Sequence, residues 1–254
     1  MAKHSNNARK GIWFIVIAII AAIIVGICLL TLYKKNQESK DGANILSQIE
    51  IDETKITNEK TEKMLKLEEL QKENEDIVAY IEIDGTNINY PVLQASDNDF
   101  YMKKNYKKEY SKDGAIFVDK DYNWEKPSTN LLIYGHNNSN GQMFCDLLKY
   151  KDESFYQEHP IIKFTTNKEE AEYEIIAVFR SRVYYKSEKN VFRYYYFIDA
   201  ENEEQFNNFV DNSKKSALYD TGKTAEYGDQ LMTLSTCSYH TEDGRFAVVA
   251  KKKK

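Results

Sequence analysis

Thr233-Leu234-Ser235-Thr236-Cys237 closes an apolar run that begins at Gln230, and eight residues later Arg245 heads a second run that reaches Lys251. Both stretches read as strands, because they are short, apolar and bounded by Ser, Thr, Asp and Gly. A thiol therefore stands at the mouth of one strand and a permanent cation at the start of the next. Far upstream, Leu131-Leu132-Ile133-Tyr134-Gly135-His136-Asn137-Asn138 ends a third strand-like run at an imidazole. Thiol, imidazole and guanidinium, each at a strand end, are the parts that acyl transfer through a thioester needs.

Working outward, Ile77 to Ile83, Asp84-Gly85, then Asn87 to Leu93 predicts a hairpin, with Asp-Gly supplying the positive φ angles of a tight turn. Further strands are predicted at Gly114 to Asp119, Asn130 to His136, Ile161 to Thr166 and Ala171 to Tyr184. With the two around the thiol there are eight. Helices are expected at Ile56 to Asn74, where Met64, Leu65, Leu67 and Leu70 form an apolar face, and at Gly141 to Tyr150, Ser154 to His159 and Glu201 to Ser216. The first is too short for a sustained heptad, so it is expected to pack on the domain. Eight strands with few long helices predict a mainly β fold closed into a barrel, which leaves no exposed edge.

Residues Ile12 to Leu32 are 21 consecutive residues without a charge. At 1.5 Å per residue they span about 30 Å, enough to cross a bilayer. Lys3, Arg9 and Lys10 precede them, which favours a cytoplasmic N-terminus. The run is longer than the apolar core of a signal peptide and lacks a small-x-small cleavage site. The expected organisation is a cytoplasmic N-terminus at 1–11, a transmembrane anchor at 12–33, a juxtamembrane linker with helices at 34–75, and an extracellular catalytic domain at 76–254. Of the 35 basic and 40 acidic residues, all but those three bases lie beyond the anchor, leaving 32 against 40, a net charge of −8. That balance excludes a nucleic-acid partner of the usual basic kind. The acids are scattered and the four histidines lack ligand spacing, so no metal or cofactor is expected.

Only Cys145 and Cys237 lie outside the anchor, and two cysteines in a domain of this size are not a disulfide framework. Cys145, within Met143-Phe144-Cys145-Asp146-Leu147-Leu148, is expected as a small buried residue of a short helix. Cys237 is the candidate nucleophile, since a nearby imidazole or cation raises the thiolate fraction. His136 is the candidate acid and base. Arg245 offers a planar fork of donors for the oxygen that becomes negative during attack. His240, three residues after the thiol, competes for the role of base; His159, beside Pro160, reads as structural.

In the order of its motifs the chain resembles the sortases, membrane-anchored cysteine transpeptidases of Gram-positive bacteria, and most closely class B. The similarity runs from about Asp76 to Lys251. It rests on Ile83-Asp84-Gly85-Thr86-Asn87-Ile88-Asn89-Tyr90-Pro91-Val92, Asp97-Asn98-Asp99-Phe100-Tyr101, Tyr134-Gly135-His136-Asn137, Met143-Phe144, and Thr233 to Cys237 with Arg245. The resemblance implies an eight-stranded barrel with N-terminal helices and a long helix, Glu201–Ser216, before the cysteine strand. It implies catalytic positions at His136, Cys237 and Arg245, and a signal groove lined by Asn98, Met102 and Ser235 with a wall between Tyr184 and Tyr196. The implied reaction cleaves a C-terminal sorting signal of a secreted protein after Thr. A thioacyl-enzyme forms, and the protein passes to a cell-wall peptidoglycan amine. Class B implies an Asn-Pro-type signal. Cys145 departs from the family pattern, which has Gly there.

Two other readings compete. A cell-wall cysteine peptidase or L,D-transpeptidase would use similar groups, but papain-like peptidases place cysteine before histidine, and L,D-transpeptidases carry a short Gly-Cys-x-Arg setting. A membrane-tethered binding module would keep the fold without the chemistry.

Overall fold

The computed structural model describes residues 17, 19–31, 42–57 and 60–254. It divides into two compact units, Met1–Asp41 and Gly42–Lys254. In the first, residues 19–31 are helical, and the rest of the expected anchor lies mostly outside the described residues. Among the described residues no helix is long and apolar enough to cross a membrane.

All eight strands form: β1 (Ile77–Glu82), β2 (Asn89–Leu93), β3 (Ile116–Val118), β4 (Asn130–Tyr134), β5 (Ile161–Thr165), β6 (Glu170–Arg182), β7 (Leu231–Cys237) and β8 (Gly244–Lys252). They close into a barrel in the order β1-β2-β3-β4-β7-β8-β6-β5. The pairs β2/β3 and β4/β7 are parallel and the others antiparallel. Alternate residues such as Ile81, Val92, Ile133, Leu234 and Val248 fill the interior, as the two-residue period of a strand requires.

Helix α1 (Glu62–Glu73) is shorter than expected. Thr61 caps it, accepting from the Met64 N–H at 3.3 Å, and Ile56 is already extended. The four apolar residues on its face are buried as predicted, with Leu67 and Leu70 packed among Ile77, Tyr80 and Leu93. Each such leucine contributes about 1.5–3 kcal/mol. Helix α2 spans Glu153–Glu158, preceded by a 3₁₀ segment at Cys145–Lys151. Helix α3 (Glu203–Lys215) starts two residues late because Asn202 caps it, accepting from the Gln205 N–H at 3.0 Å. Its Phe206, Phe209 and Val210 cover the outer face of β6 around Ile176 and Phe179.

Two local expectations are corrected. The β1–β2 connection is a four-residue loop, closed by the Ile83 N–H donating to Ile88 O at 2.9 Å. Only Gly85 has positive φ, +74°. The Thr86 hydroxyl opens the turn by donating to Ile83 O at 2.7 Å while accepting from the Ile88 N–H at 2.9 Å. Cys145 is half-buried, because it starts the 3₁₀ segment and leaves Leu147 and Tyr150 to face the core.

Candidate active site

Strands β4 and β7 leave the barrel at the same mouth because they run parallel, with Tyr134 beside Ser235. One residue on, the Gly135 N–H donates to Ser235 O at 3.2 Å, and the Thr236 hydroxyl donates to Gly135 O at 2.7 Å. His136 and Cys237 therefore emerge side by side, and the Asn137 amide ties the two ends by donating to Cys237 O at 3.0 Å. Strand β8 enters at the same mouth. Its antiparallel register sets Arg245 opposite Cys237, and the intervening loop is closed by the Ser238 N–H donating to Gly244 O at 2.9 Å.

A cleft of about 220 Å³ opens at this mouth. It is lined by Asn98, Asp99, Met102, Phe117, Tyr134, Gly135, His136, Ser235, Thr236, Cys237 and Arg245. All six residues singled out in the sequence meet there. Cys237, His136 and Arg245 are each half-buried, and every cysteine among the described residues is a free thiol. The Arg245 guanidinium donates to the carbonyls of Asp243 (3.3 Å) and Gly244 (3.0 Å). Among the described residues no carboxylate pairs with it. Its charge is thus oriented by backbone and left unneutralised.

The His136 ring is held from another segment. Its Nε2 lies 2.7 Å from the carbonyl oxygen of Met102. A carbonyl only accepts, so Nε2 carries a proton and Nδ1 is the atom free for chemistry. Gly114 makes this possible: at φ +61° its absent Cβ would fall 2.8 Å from Met102 O and 2.9 Å from His136 Cδ2. Met102 thus contributes through its backbone as well as through its half-exposed side chain.

Asn98 and Tyr134 share a partner the sequence did not reveal. The buried Asp119 carboxylate accepts from the Asn98 amide at 2.9 Å and from the Tyr134 hydroxyl at 3.0 Å. Asn98 in turn accepts from the Lys120 N–H at 2.8 Å, so its amide orientation is fixed from both sides. Burial and the Asp119 charge push the Tyr134 phenol well above its usual range, keeping it a neutral donor. Ser235 is 3% exposed, and its hydroxyl is engaged by the Tyr194 hydroxyl at 2.7 Å. It shapes the floor of the cleft and does not offer a free group. The expected wall between Tyr184 and Tyr196 does not line the cleft; Tyr194 stands behind it.

The competing residues lie elsewhere. His240 contacts the Ser238 hydroxyl at 2.9 Å and does not line the cleft. His159 ends α2 and packs its ring on Phe155 at 4.5 Å. Burial and the neighbouring Asp146 raise the Cys145 thiol above its ordinary value, which makes it a poor nucleophile. Among the described residues no group of three His, Cys, Asp or Glu side chains forms a metal site.

The sortase domain profile matches residues 81–253. This chain belongs to the sortase family, class B. It is 33% identical over 239 residues to sortase B of Listeria monocytogenes, covering 90% of this chain and 93% of that one. With sortase B of Staphylococcus aureus it shares 32% identity over 186 residues, 72% of this chain and 73% of the relative. The structure of the S. aureus sortase B–substrate complex superposes with a TM-score of 0.74 at 27% identity, covering 87% of this chain and 99% of that chain. Sortase B from B. anthracis, in complex with AAEK1, gives 0.72 at 31%, covering 87% and 99%. The eight-stranded barrel is therefore a sortase barrel, and the protein is a cysteine transpeptidase that anchors surface proteins to the cell wall. Its substrates are sorting-signal proteins and its acceptors amines. Neither the peptidoglycan peptidase nor the non-catalytic module is favoured.

Proposed function

We propose that Cys237 is the nucleophile, His136 the acid and base, and Arg245 the oxyanion donor. The observation that carries this assignment is the β7–β8 register, which opposes Cys237 to Arg245 in a cleft shared with His136. The Cys237 thiolate attacks the carbonyl of the signal's threonine, and charge builds on its oxygen beside the unneutralised guanidinium. The C–N bond breaks as the imidazolium, its Nε2–H held by Met102 O, gives its Nδ1 proton to the departing amine. The acceptor amine then attacks the thioester, His136 takes a proton back, and the sulfur leaves as thiolate.

Asn98 and Met102 contact the signal, and Ser235 forms the floor beneath it. An Asn-Pro-x-Thr-like sequence is the expected signal, and a peptidoglycan precursor or cross-bridge amine the acceptor. Segment 12–33 anchors the protein in the cell membrane, with 1–11 in the cytoplasm, 34–75 leading outward and the catalytic domain 76–254 outside. The length and lack of charge of Ile12 to Leu32 support this orientation, together with the bases before it.

Mass spectrometry of the enzyme trapped with a peptide library containing Asn-Pro-x-Thr and Leu-Pro-x-Thr members tests the chemistry. The acyl adduct is expected on Cys237, with the Asn-Pro members enriched. An adduct on Cys145, or none without His240, overturns the assignment. Protease treatment of intact cells tests the orientation, since a catalytic domain protected from digestion refutes it.

A further inference from the structure

A second cavity in the barrel unit is larger than the catalytic cleft. It has a volume of about 400 Å³ and lies at the opposite mouth, where β1, β4 and β6 begin and β5 and β8 end. Its walls are four aromatic rings, Tyr122, Trp124, Phe164 and Tyr173. Tyr122 and Trp124 meet edge to face at 4.8 Å, as do Phe164 and Tyr173 at 6.2 Å.

Tyr122 is 7% exposed and Tyr173 5%, yet neither hydroxyl has a hydrogen-bond partner among the described residues. Neither is sealed from solvent, so both open into the cavity they line. Buried tyrosines ordinarily place that hydroxyl on a partner. Two unused phenols in one cavity therefore point to a ligand.

The rim narrows the class of that ligand. Glu75 and Glu169 are matched by Lys168 and Lys252, with Lys252 paired to Glu169, so the site carries no net charge to select an ion. Three amides complete it; Gln71 is spent on Ile77 O and Asn167, and the other two have their NH₂ already used. Gln230 donates to Ser128 O at 2.6 Å, and Asn167 donates to Gln71 Oε1 at 2.7 Å. Their carbonyl oxygens remain as acceptors. Aromatic walls, phenol donors and amide acceptors without net charge match a molecule with a flat C–H face edged by hydroxyls. We propose that this cavity binds a neutral pyranose sugar of one or two rings.

Trp124 lies in the wall, and the only other tryptophan is Trp13. Fluorescence titration of the full chain carrying Trp13→Phe thus reads this site, with saturation-transfer NMR on the ligand as an independent readout. Chitobiose and maltose are the probes, with choline and benzoate as charged controls. Saturable change is expected with at least one sugar and with neither control. Tyr122→Phe with Tyr173→Phe keeps the rings and should weaken sugar binding about tenfold, since a net hydrogen bond is worth a factor of a few each. Asn167→Ala at the rim should weaken it less, and cleavage of a sorting-signal peptide should be unchanged in both variants. No saturation with either sugar overturns the site. Preferential binding of choline or benzoate overturns the ligand class, and equal sugar affinity in the double variant overturns the role of the phenols.

Discussion

Gly114→Ala tests how the imidazole is held, without replacing any group that reacts. At φ +61° alanine pays about 1–2 kcal/mol for the left-handed backbone. The new Cβ also falls 2.7 Å from Tyr101 O, 2.8 Å from Met102 O and 2.9 Å from His136 Cδ2, so backbone has to move. The Met102 carbonyl moves with it, and the 2.7 Å contact to His136 Nε2 is stretched or lost. A hydrogen bond from a charged imidazolium is worth about 1.5–3 kcal/mol, which is roughly a 10- to 100-fold loss in turnover of a peptide signal. The melting temperature should fall by about 2–8 °C, given 2–4 °C per kcal/mol for a domain of this size. Two substrates separate the causes. A peptide needs its leaving amine protonated by His136, whereas an activated ester of the same signal does not. The variant should therefore lose far more on the peptide than on the ester. Equal losses on both would mean that the alanine disturbs Cys237, and unchanged peptide turnover would refute the role given to the Met102 carbonyl.

Cys237→Ala should abolish thioester formation while leaving the melting temperature within a few degrees, because only a half-buried sulfur is removed; mass spectrometry and calorimetry read the two outcomes. Arg245→Lys should lose about as much activity as Arg245→Ala, roughly 10²–10³-fold, since a point charge does not reproduce a fork aligned by the Asp243 and Gly244 carbonyls. Leu67→Ala should cost about 2–5 kcal/mol in denaturant unfolding, because the side chain is fully buried between α1 and the barrel. Asp199 is the pH-sensitive clasp. Partial burial alone would raise its carboxyl, but hydrogen bonds from Thr129 and Ala200 outweigh this and hold it below the usual carboxylate range. Its contribution is therefore complete above the ordinary carboxylate pKa, about 4, and lost as pH falls through the lowered folded value. Asp199→Asn should accordingly be less stable than wild type at pH 6 and indistinguishable from it at the acid limit of the melting curve.

The strands were legible because a half-buried ribbon imposes a pattern that short apolar runs carry openly. Eight such runs between polar turns left closure as the economical arrangement, and the barrel closes. The candidate site was legible for a related reason. His136, Cys237 and Arg245 each end or begin a run, and strand ends are where a barrel exposes side chains. Boundaries that depend on one side-chain hydrogen bond were harder to read. Thr61 and Asn202 cap their helices inside the expected spans, and Thr86 turns an apparent Asp-Gly hairpin into a longer loop. Asn202 with Gln205 three residues on was a readable helix-start signal that the apolar pattern overshadowed. The Met102 carbonyl was not legible at all, since every residue carries the same backbone group. Nor was the Asp119 clasp on Asn98 and Tyr134, because no local pattern marks that carboxylate as the partner of two motifs distant in sequence.

This division has a mechanistic counterpart. Cys237 and Arg245 face each other across one antiparallel hairpin, so nucleophile and cation are registered by backbone bonds within a short stretch of chain. Both halves of the cycle use that pair, since each passes through an oxyanion formed at the sulfur. The acid is different. Its backbone rides on β4 beside β7, but its ring angle is set by a carbonyl 34 residues away in sequence. The segment from Tyr101 to Gly114 therefore adjusts proton delivery to the leaving group without altering how the sulfur meets its carbonyl. In acylation the departing amine must take its proton from His136, whereas on the thioester the sulfur departs as an anion and His136 serves only as base for the incoming amine, so acylation depends more on its ring angle. Changes in that segment should consequently shift which half of the cycle limits turnover, whereas changes in the β7–β8 loop should slow both halves alike.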